Sequence, residues 1–420
     1  MADRFPLATE FAAAMARLGP FEPVPRLAAG VSGGADSMAL ALLAEAWARE
    51  RGGSLLALIV DHGLRHEAAA EAAEAASRLR VHGIATRVLQ IEGLARGAAM
   101  AERARDARFR VLMETCAAEG ILHLLLAHHA ADQAETVLIR ELGGSGPAGL
   151  AGMAALLESA GLRILRPLLD VSPNRLRMLL EAEGVGWSED PSNRDLTALR
   201  PLLRMLRRDR DGVGPATMAL VAAATAAGRQ RAEQELAIAG ELAARASIRP
   251  EGFVVLDPPV SAGALMALMQ AVSGADYPPP TRSVTRLAAS MEPSTLAGVR
   301  VMRAGRLGPG WLLVREASSA GAAVPAVPGA VWDGRFRLVA GAGLPAGAML
   351  GPLGDEAARL RHLSALPAAI LRTLPALRMG EQLLAVPHLH YPDRKTCEGI
   401  DVIFAPSRPA AGAPYRFGDA

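Results

Sequence analysis

Residues 26–37 read Arg26-Leu27-Ala28-Ala29-Gly30-Val31-Ser32-Gly33-Gly34-Ala35-Asp36-Ser37. A short apolar run, Arg26 to Val31, passes straight into two adjacent glycines, and a helical stretch, Asp36 to Arg51, follows at once. Paired glycines let a backbone approach an anion closely, and the helix start behind them offers unpaired N–H groups and the positive end of a dipole. The hydroxyls of Ser32 and Ser37 add donors for phosphate oxygens. Asp36 cannot attract a phosphate by itself, so its presence in an anion site points to a magnesium ion between carboxylate and phosphates. The plain alternative is a strand-to-helix turn with Ser and Asp caps.

Outward from this loop the same alternation repeats. Ser54 to Val60, Thr86 to Ile91 and Leu122 to Ala127 read as strands, and Glu67 to His82, Met100 to Ala118 and Asp132 to Leu142 as helices. Strands alternating with helices of this length predict an α/β fold, an open parallel sheet with helices on both faces joined by right-handed crossovers. In such a sheet ligands bind beyond the carboxyl ends of strands, at the switch point where the strand order reverses. The serine-glycine loop, Asp61 and the run His128 to Asp132 all sit at such ends and are expected to converge on one nucleotide.

Past Gly143 come a Gly-rich loop to Gly152, the segment Arg163 to Leu169, a helix from Ser172 to Gly184 and a polar turn from Ser188 to Asp195. Arg200 to Arg210 holds five arginines in eleven residues. On a helix Arg200, Arg204, Arg207 and Arg208 share one side, a phosphate-seeking surface or a merely solvated one. Three domains are expected: 1–210; 211–320, mostly helical from Ala216 to Ser247 and again near Ala262 to Val272; and 330–420, a small α+β piece beginning with strand-like Trp332 to Val339. Asp211 to Pro215 and Ser318 to Gly329 read as the connections. His388-Leu389-His390 reads as exposed strand.

At 420 residues, 51% hydrophobic and 21% charged, the chain is long enough for a sizeable core and too apolar to be disordered. No apolar run reaches the roughly 20 residues of a bilayer crossing, and Met1 to Glu10 lacks a signal-peptide pattern, so a cytoplasmic location without membrane contact is expected. Two cysteines, Cys116 and Cys397, build no disulfide framework. The sole lysine is Lys395, the other basic residues being arginine. That excludes a Walker-type phosphate loop, which needs a lysine beside its glycines, and it lowers the signal carried by any single arginine.

Asp132 and Glu135, three residues apart, share one helix face. They suit the ammonium groups of an amino acid, or else form an acidic cap favoured by the dipole. Zinc is not expected at His128-His129, because adjacent histidines point in different directions. Arg105 and Arg108 either neutralise charge on a departing pyrophosphate or form a charged helix face.

Ser32 to Ser37 resembles the loop of the PP-loop ATP pyrophosphatases, which cleave ATP between the α and β phosphates to adenylate a substrate. Within that superfamily the chain is similar to the tRNA(Ile)-lysidine synthase family. The similarity is carried by Asp61-His62-Gly63-Leu64-Arg65, by Glu102, Ala104, Arg105, Arg108 and Phe109, and by His128-His129-Ala130-Ala131-Asp132-Gln133-Ala134-Glu135-Thr136. It continues in Gly144 to Leu150, Arg166-Pro167-Leu168-Leu169, Trp187 to Asn193, Arg372 to Pro375 and Leu384 to Pro387. The chain departs from the family pattern at Ala131, Gly143 and Pro201, where an aspartate, an arginine and an asparagine are usual.

The resemblance implies an ATP- and magnesium-dependent ligation of free L-lysine to C2 of the wobble cytidine of an isoleucine tRNA with a CAU anticodon, through an adenylated cytidine. It implies ATP binding by Ser32, Gly33, Gly34, Ala35, Asp36, Ser37, Asp61, His62 and His128, with Asp36 on magnesium. Asp132 and Glu135 would orient lysine, Arg105 and Arg108 would bind phosphate, Arg200 and Arg204 would join the substrate site, and the domains after 211 would grip the tRNA. Two alternatives stay open: a tRNA thiolation enzyme of the same superfamily, which usually needs paired cysteines, and a nucleotide- or RNA-binding module whose catalysis has lapsed. Oligomeric state is not legible in any heptad or apolar patch.

Overall fold

A computed structural model describes residues 4–61, 63, 68–91, 100–159, 161–189, 199–209, 211–412 and 415–417. Along the chain come α1 (Arg4–Arg17), β1 (Arg26–Val31), α2 (Ala35–Arg49), β2 (Ser54–Asp61), α3 (Ala68–Val81), β3 (Ala85–Gln90), α4 (Met100–Ala118) and β4 (His123–Leu125). There follow α5 (Ala130–Leu142), the single turn α6 (Pro147–Leu150), β5 (Leu156–Ser159), β6 (Leu162–Leu165), α7 (Pro173–Glu183), α8 (Leu199–Arg207) and α9 (Pro215–Arg245).

Strands alternate their side chains between two faces, and β1 uses both. Leu27, Ala29 and Val31 enter a core with Leu55, Ala57 and Ile59 of β2 and the buried stripes of α1, α2, α3 and α7. Ala28 joins Leu58, Leu124 and Ile164 against Leu112 and Cys116 of α4 on the opposite face. Each buried leucine contributes about 1.5–3 kcal/mol over an exposed one, so a strand apolar on both faces is held in the middle of the sheet. The order is β3-β2-β1-β4-β6-β5, parallel except for the edge strand β5, which runs antiparallel to β6. From β1 the chain steps outward through β2 to β3, then returns to place β4 on the other side of β1. That reversal leaves a crevice at the carboxyl ends of β1 and β4.

The chain divides into two compact units, Met1–Glu233 with Pro414–Ala420, and Gln234–Ala413. A break was expected after residue 210, ahead of α9; this division lies inside that helix.

The second unit opens with β7 (Ala246–Ile248), β8 (Val254–Leu256), α10 (Ala262–Ser273), α11 (Thr281–Ala289), β9 (Ser294–Leu296), β10 (Val299–Arg303) and β11 (Trp311–Arg315). The helices expected between 211 and 320 are present, and beside them lies an antiparallel sheet ordered β7-β8-β11-β10-β9. Its strands of three to five residues are too short for a two-residue period to stand out.

Two further small sheets fill 324–404, one of four strands and one of three. They share a core in which Phe336, Leu338 and Val402 of one meet Leu350 and Leu377 of the other, and the Asp333 carboxylate takes Arg315 at 2.9 Å and the fully buried Arg335 at 2.8 Å. Burial pushes the Arg335 pKa down to about 10. The exposed strand expected at His388 to His390 is instead a 3-10 turn, Pro387–Leu389, closed by His390 at φ +51°. The cause is Pro387, which cannot donate to a ladder, and His388 Nε2 lies 3.1 Å from the Pro250 carbonyl oxygen. Among the described residues no helix is long and apolar enough to cross a membrane.

Candidate active site

The loop after β1 is shaped by its serines. Ser37 Oγ donates to the Gly34 carbonyl at 3.0 Å and accepts from Ser32 N–H at 3.1 Å, with Ser32 Oγ 3.2 Å away. Gly33 holds φ +83°, where a side chain would be strained, and its carbonyl accepts from Ser188 N–H at 2.9 Å. Ser188 belongs to the stretch after α7, so the Trp187 to Asn193 motif reaches the loop at its first residues; residues 190–198 lie outside the described set. Asp36 stands in the first turn of α2 with 38% of its side chain exposed, 3.5 Å from His129 Nε2.

Across the crevice, the run after β4 supplies His128, His129 and the start of α5. His129 N–H donates to Asp132 Oδ2 at 3.2 Å, the helix-capping geometry that three-residue spacing allows. Its ring nitrogen Nε2 lies 3.5 Å from carboxylate oxygens of both Asp36 and Asp132. Burial opposes protonation of His129, but the two carboxylates prevail and raise its pKa. Asp132 is held below the usual carboxylate range: its own burial works the other way and is outweighed by the charges of His129 and Arg204 and by the His129 N–H. His128 behaves oppositely. Burial, joined by the charges of Arg166, Arg105 and Arg200 and resisted by Asp132, takes its pKa down to about 4.

The acids are not free. Glu135 is fully buried, and Arg204 donates from Nε to Glu135 Oε1 at 2.6 Å while reaching Asp132 Oδ1 through Nη2 at 3.0 Å. Arg200 and Arg207 approach the same Glu135 carboxylate at 3.7 and 3.9 Å. So the arginine side of α8 does form, from three of the four residues expected there, and it faces inward onto one carboxylate. Arg208 falls beyond the helix at φ +50°.

Ala131 is buried, with its Cβ against the turn at Gly212, where an added Cβ would stand 3.4 Å from it. Gly143 caps α5 at φ −81°, a conformation open to any residue.

Arg105 and Arg108 lie in the first half of α4, which starts on the carboxyl side of the sheet. Arg105 packs over Phe109 at 5.6 Å. Burial and the neighbouring Arg105 lower the Arg108 pKa. Asp61, at the end of β2, accepts from Gly63 N–H at 2.9 Å and so shapes its own turn; His62 lies outside the described residues.

One residue of the site is given no role by sequence reading. Arg166, directly after β6, is only 9% exposed and donates to the Ala154 carbonyl at 2.7 Å. Burial, then Arg105, takes its pKa to about 10. Its Nε, like Nδ1 of His128 and of His129, is buried with no hydrogen-bond partner among the described residues. Buried polar atoms are almost always satisfied, so three orphans at one end of a sheet mark a place for a polar, anionic ligand. Arg166-Pro167-Leu168-Leu169 is part of the family resemblance, but in a chain with 45 basic residues, 44 of them arginine, the residue type alone assigns Arg166 no role. Cys116 lies in the core with its thiol pushed up to about 11 by burial.

This geometry accords with what the chain is similar to. A family model described as the PP-loop domain matches residues 7–208. A tRNA(Ile)-lysidine synthase of Mesorhizobium japonicum is 36% identical over 385 residues, 86% of this chain and 83% of the relative. The chain belongs to the tRNA(Ile)-lysidine synthase family. Another member, from Bradyrhizobium sp. strain BTAi1, is 44% identical over 207 residues, 48% of this chain; that match spans just over half of the relative's length, 58%. Among solved structures the chain is similar to the U34-tRNA thiolase NcsA from Methanococcus maripaludis, at 16% identity and TM-score 0.44 over 52% of this chain and 77% of that one. The matched PP-loop domain contains both the Ser32 to Ser37 loop and the run His128 to Glu135.

Proposed function

We propose that the chain ligates free lysine to C2 of the wobble cytidine of an isoleucine tRNA with a CAU anticodon, consuming ATP and releasing AMP and pyrophosphate. The observation that carries this reading is the convergence, at the β1/β4 switch point, of a serine-glycine phosphate loop with a buried cationic group and two carboxylates. In the first step cytidine O2 attacks the α-phosphate of ATP and the bond to pyrophosphate breaks. Arg166, Arg105 and Arg108 are assigned to the departing charge, which fixed cations in a water-poor site stabilise strongly. Ser32, Gly33, Gly34, Ala35 and Ser37 cradle the phosphates, with Asp61, His62 and His128 completing the nucleotide site. His128, neutral at physiological pH, offers Nδ1 for a hydrogen bond without adding charge.

Magnesium suits a single, partly exposed carboxylate beside phosphates. Among the described residues no group of three or more potential metal ligands gathers into an all-protein cage, and Asp36 is the residue that would hold the ion. The ion would supply neutralisation of phosphate charge.

In the second step the lysine ε-amine attacks C2, AMP leaves with the O2 oxygen, and the amine proton passes to the carboxylate side of the site. Asp132 meets the amino acid, and Glu135, fully buried, takes part by holding Arg204 rather than by touching the lysine. Arg204 already bridges the two carboxylates, so a lysine ammonium has to take an Asp132 oxygen from Arg204, which keeps Glu135 through Nε. The target base must be unstacked to be reached, as recognition of single-stranded loops requires, and the second unit is assigned to holding the rest of the tRNA.

The test is to incubate the protein with ATP, magnesium, radiolabelled lysine and the CAU isoleucine tRNA. Label should enter that tRNA and not a methionine tRNA. Asp132→Asn should keep ATP binding and lose lysine affinity by roughly tenfold or more, the cost of one charge-assisted hydrogen bond. Absence of label with ATP still bound would favour the lapsed module, and unchanged lysine affinity in Asp132→Asn would remove that residue's role.

A further inference from the structure

The short segment 151–155 lies between the two halves of the candidate site. On one side Gln133, a helical turn beyond His129 on α5, clasps Met153 twice, accepting from its N–H at 2.7 Å and donating to its carbonyl at 3.1 Å. On the other, Arg166 holds residues 154 and 155: its guanidinium donates to Ala154 O at 2.7 Å and its N–H to Ala155 O at 2.8 Å. Gly152 lies so close to Gln133 that an added Cβ would come within 2.5 Å of the amide oxygen.

A third grip comes from far along the chain. Tyr415, only 7% exposed, directs its hydroxyl proton to the carbonyls of Ala151 and Gly152, at 2.7 and 3.0 Å. Next to it, Arg416 accepts from Ala155 N–H at 2.7 Å and forms a β-bridge with Leu156, so the tail extends the sheet beyond β5. The Tyr415 ring lies under the Arg231 guanidinium at 4.3 Å, and Phe417 lies 5.9 Å from Arg229. Gly228 of α9 makes room: a Cβ there would be 2.7 Å from Phe417 Cβ. Arg140 of α5 completes the cluster by donating to Gly149 O at 2.7 Å and Gly152 O at 2.5 Å.

We infer that residues 415–417 are a positioning strap of the catalytic unit, with Tyr415 as the residue that fixes the 149–155 loop and, through Ala154 and Ala155, the Arg166 guanidinium. The strap acts through the loop, and the 180 residues of the second unit, Gln234–Ala413, are inserted between the strap and the rest of the catalytic unit. The inference rests on the functional reading above for the meaning of Arg166, and on hydrogen bonds alone for the grip itself.

Two measurements on the full chain test it. In Tyr415→Ala, kcat for tRNA-dependent pyrophosphate release should fall about 30-fold while KM for ATP stays within about twofold, since small misplacements of a catalytic group reduce rate more than binding. Tyr415→Phe keeps the ring under Arg231 and loses the hydroxyl, and its kcat should fall about fivefold. Amide exchange at Ala155 and Arg166 should quicken in Tyr415→Ala in the otherwise folded protein. Unchanged exchange at these amides overturns the strap whether or not the wild type releases pyrophosphate. So does an active wild type whose Tyr415→Ala kcat is unaltered, or falls only in step with the folded fraction. A wild type without turnover, but with faster Ala155 exchange in the variant, would sink the functional reading and leave the strap standing.

Discussion

At the amino edge of the parallel sheet Arg163 donates to the carbonyls of Pro20 and Leu18 at 2.7 and 2.8 Å and to Glu158 at 3.0 Å. Beside it His123, 1% exposed, turns Nδ1 to Arg163 at 3.4 Å and Nε2 to Glu22 at 2.9 Å. At the carboxyl edge Arg166 and His129 are buried to a similar degree and His128 is half-buried, yet each leaves a buried ring or guanidinium nitrogen without a partner among the described residues. The two edges use the same residue types at the two ends of the same strands, with Arg163 and Arg166 at the ends of β6 and His123 and His128 at those of β4. One edge closes its hydrogen bonds on itself and the other holds them open, which is how a sheet separates the end that maintains the fold from the end that meets a ligand.

The largest expected effect breaks that comparison most directly. Arg166→Met should lower kcat of pyrophosphate release by about 10²–10³, the usual loss when a cation facing developing charge is removed, with a smaller loss of stability than Arg163→Met, since its guanidinium gives up one carbonyl, Ala154 O, and an unpartnered Nε is deleted with it. Arg163→Met should do the reverse. Stripping its partners leaves buried carbonyls of Leu18 and Pro20 unpaired, at about 3 kcal/mol, while kcat of the folded fraction holds. Urea unfolding and steady-state turnover on both variants decide it. If Arg163→Met slows catalysis and Arg166→Met unfolds the protein, the division of labour between the edges is wrong.

A middling effect comes from pH. The folded-state pKa of His128, about 4, lies below its ordinary 6.5, so the folded protein binds fewer protons than the unfolded chain between those values. Its contribution to stability is therefore complete above pH about 6.5 and is lost as the pH falls toward about 4. His129 has the opposite sign: its raised pKa contributes stability at low pH that is lost as the pH rises through the folded value. His128→Gln should flatten the stability profile between pH 6.5 and 4. A profile that keeps its full slope there would mean that His128 is solvated and charged like any surface histidine.

What could be read from residues alone follows the same edges. The β1 loop was legible because paired glycines, flanking serines and an apolar strand are local signals, and the elements around it fall within a few residues of expectation. Asp132 and Glu135 were legible by spacing. That α8 would close Arg204 onto them was not, since a row of arginines on a helix says nothing about which way it faces. Arg166 stood in a family-like motif, but the arginine-rich background gave no reason to assign it a role. The Tyr415 strap was hidden because a contact spanning 264 residues, to Ala151, leaves no trace in a local pattern. The antiparallel strand β5 and the sheet β7 to β11 are short hairpin pieces whose periods are too brief to register.

The smallest effect sharpens the amino edge. Glu22 is 47% exposed on its side chain and meets the nearly inaccessible His123 at 2.9 Å. Its burial is slight and favours the neutral acid, but its own backbone N–H, the His123 hydrogen bond and the nearby Arg163 hold its pKa below 4.5. A depressed carboxylate contributes stability above its unfolded pKa and loses it as the pH falls through the folded value. His123 itself is pushed down by burial, so it meets Glu22 as a neutral donor through Nε2. That makes the contact a hydrogen bond to a half-solvated acceptor, and Glu22→Gln, which retains an acceptor oxygen, should cost less than about 1 kcal/mol at neutral pH. Urea midpoints at pH 7 and pH 3.5 should differ less between variant and wild type at the lower value, where Glu22 has begun to protonate. A loss of about 3 kcal/mol at neutral pH would instead show that His123 carries a buried positive charge, and the amino edge would then be an ion-pair network like the one around Glu135.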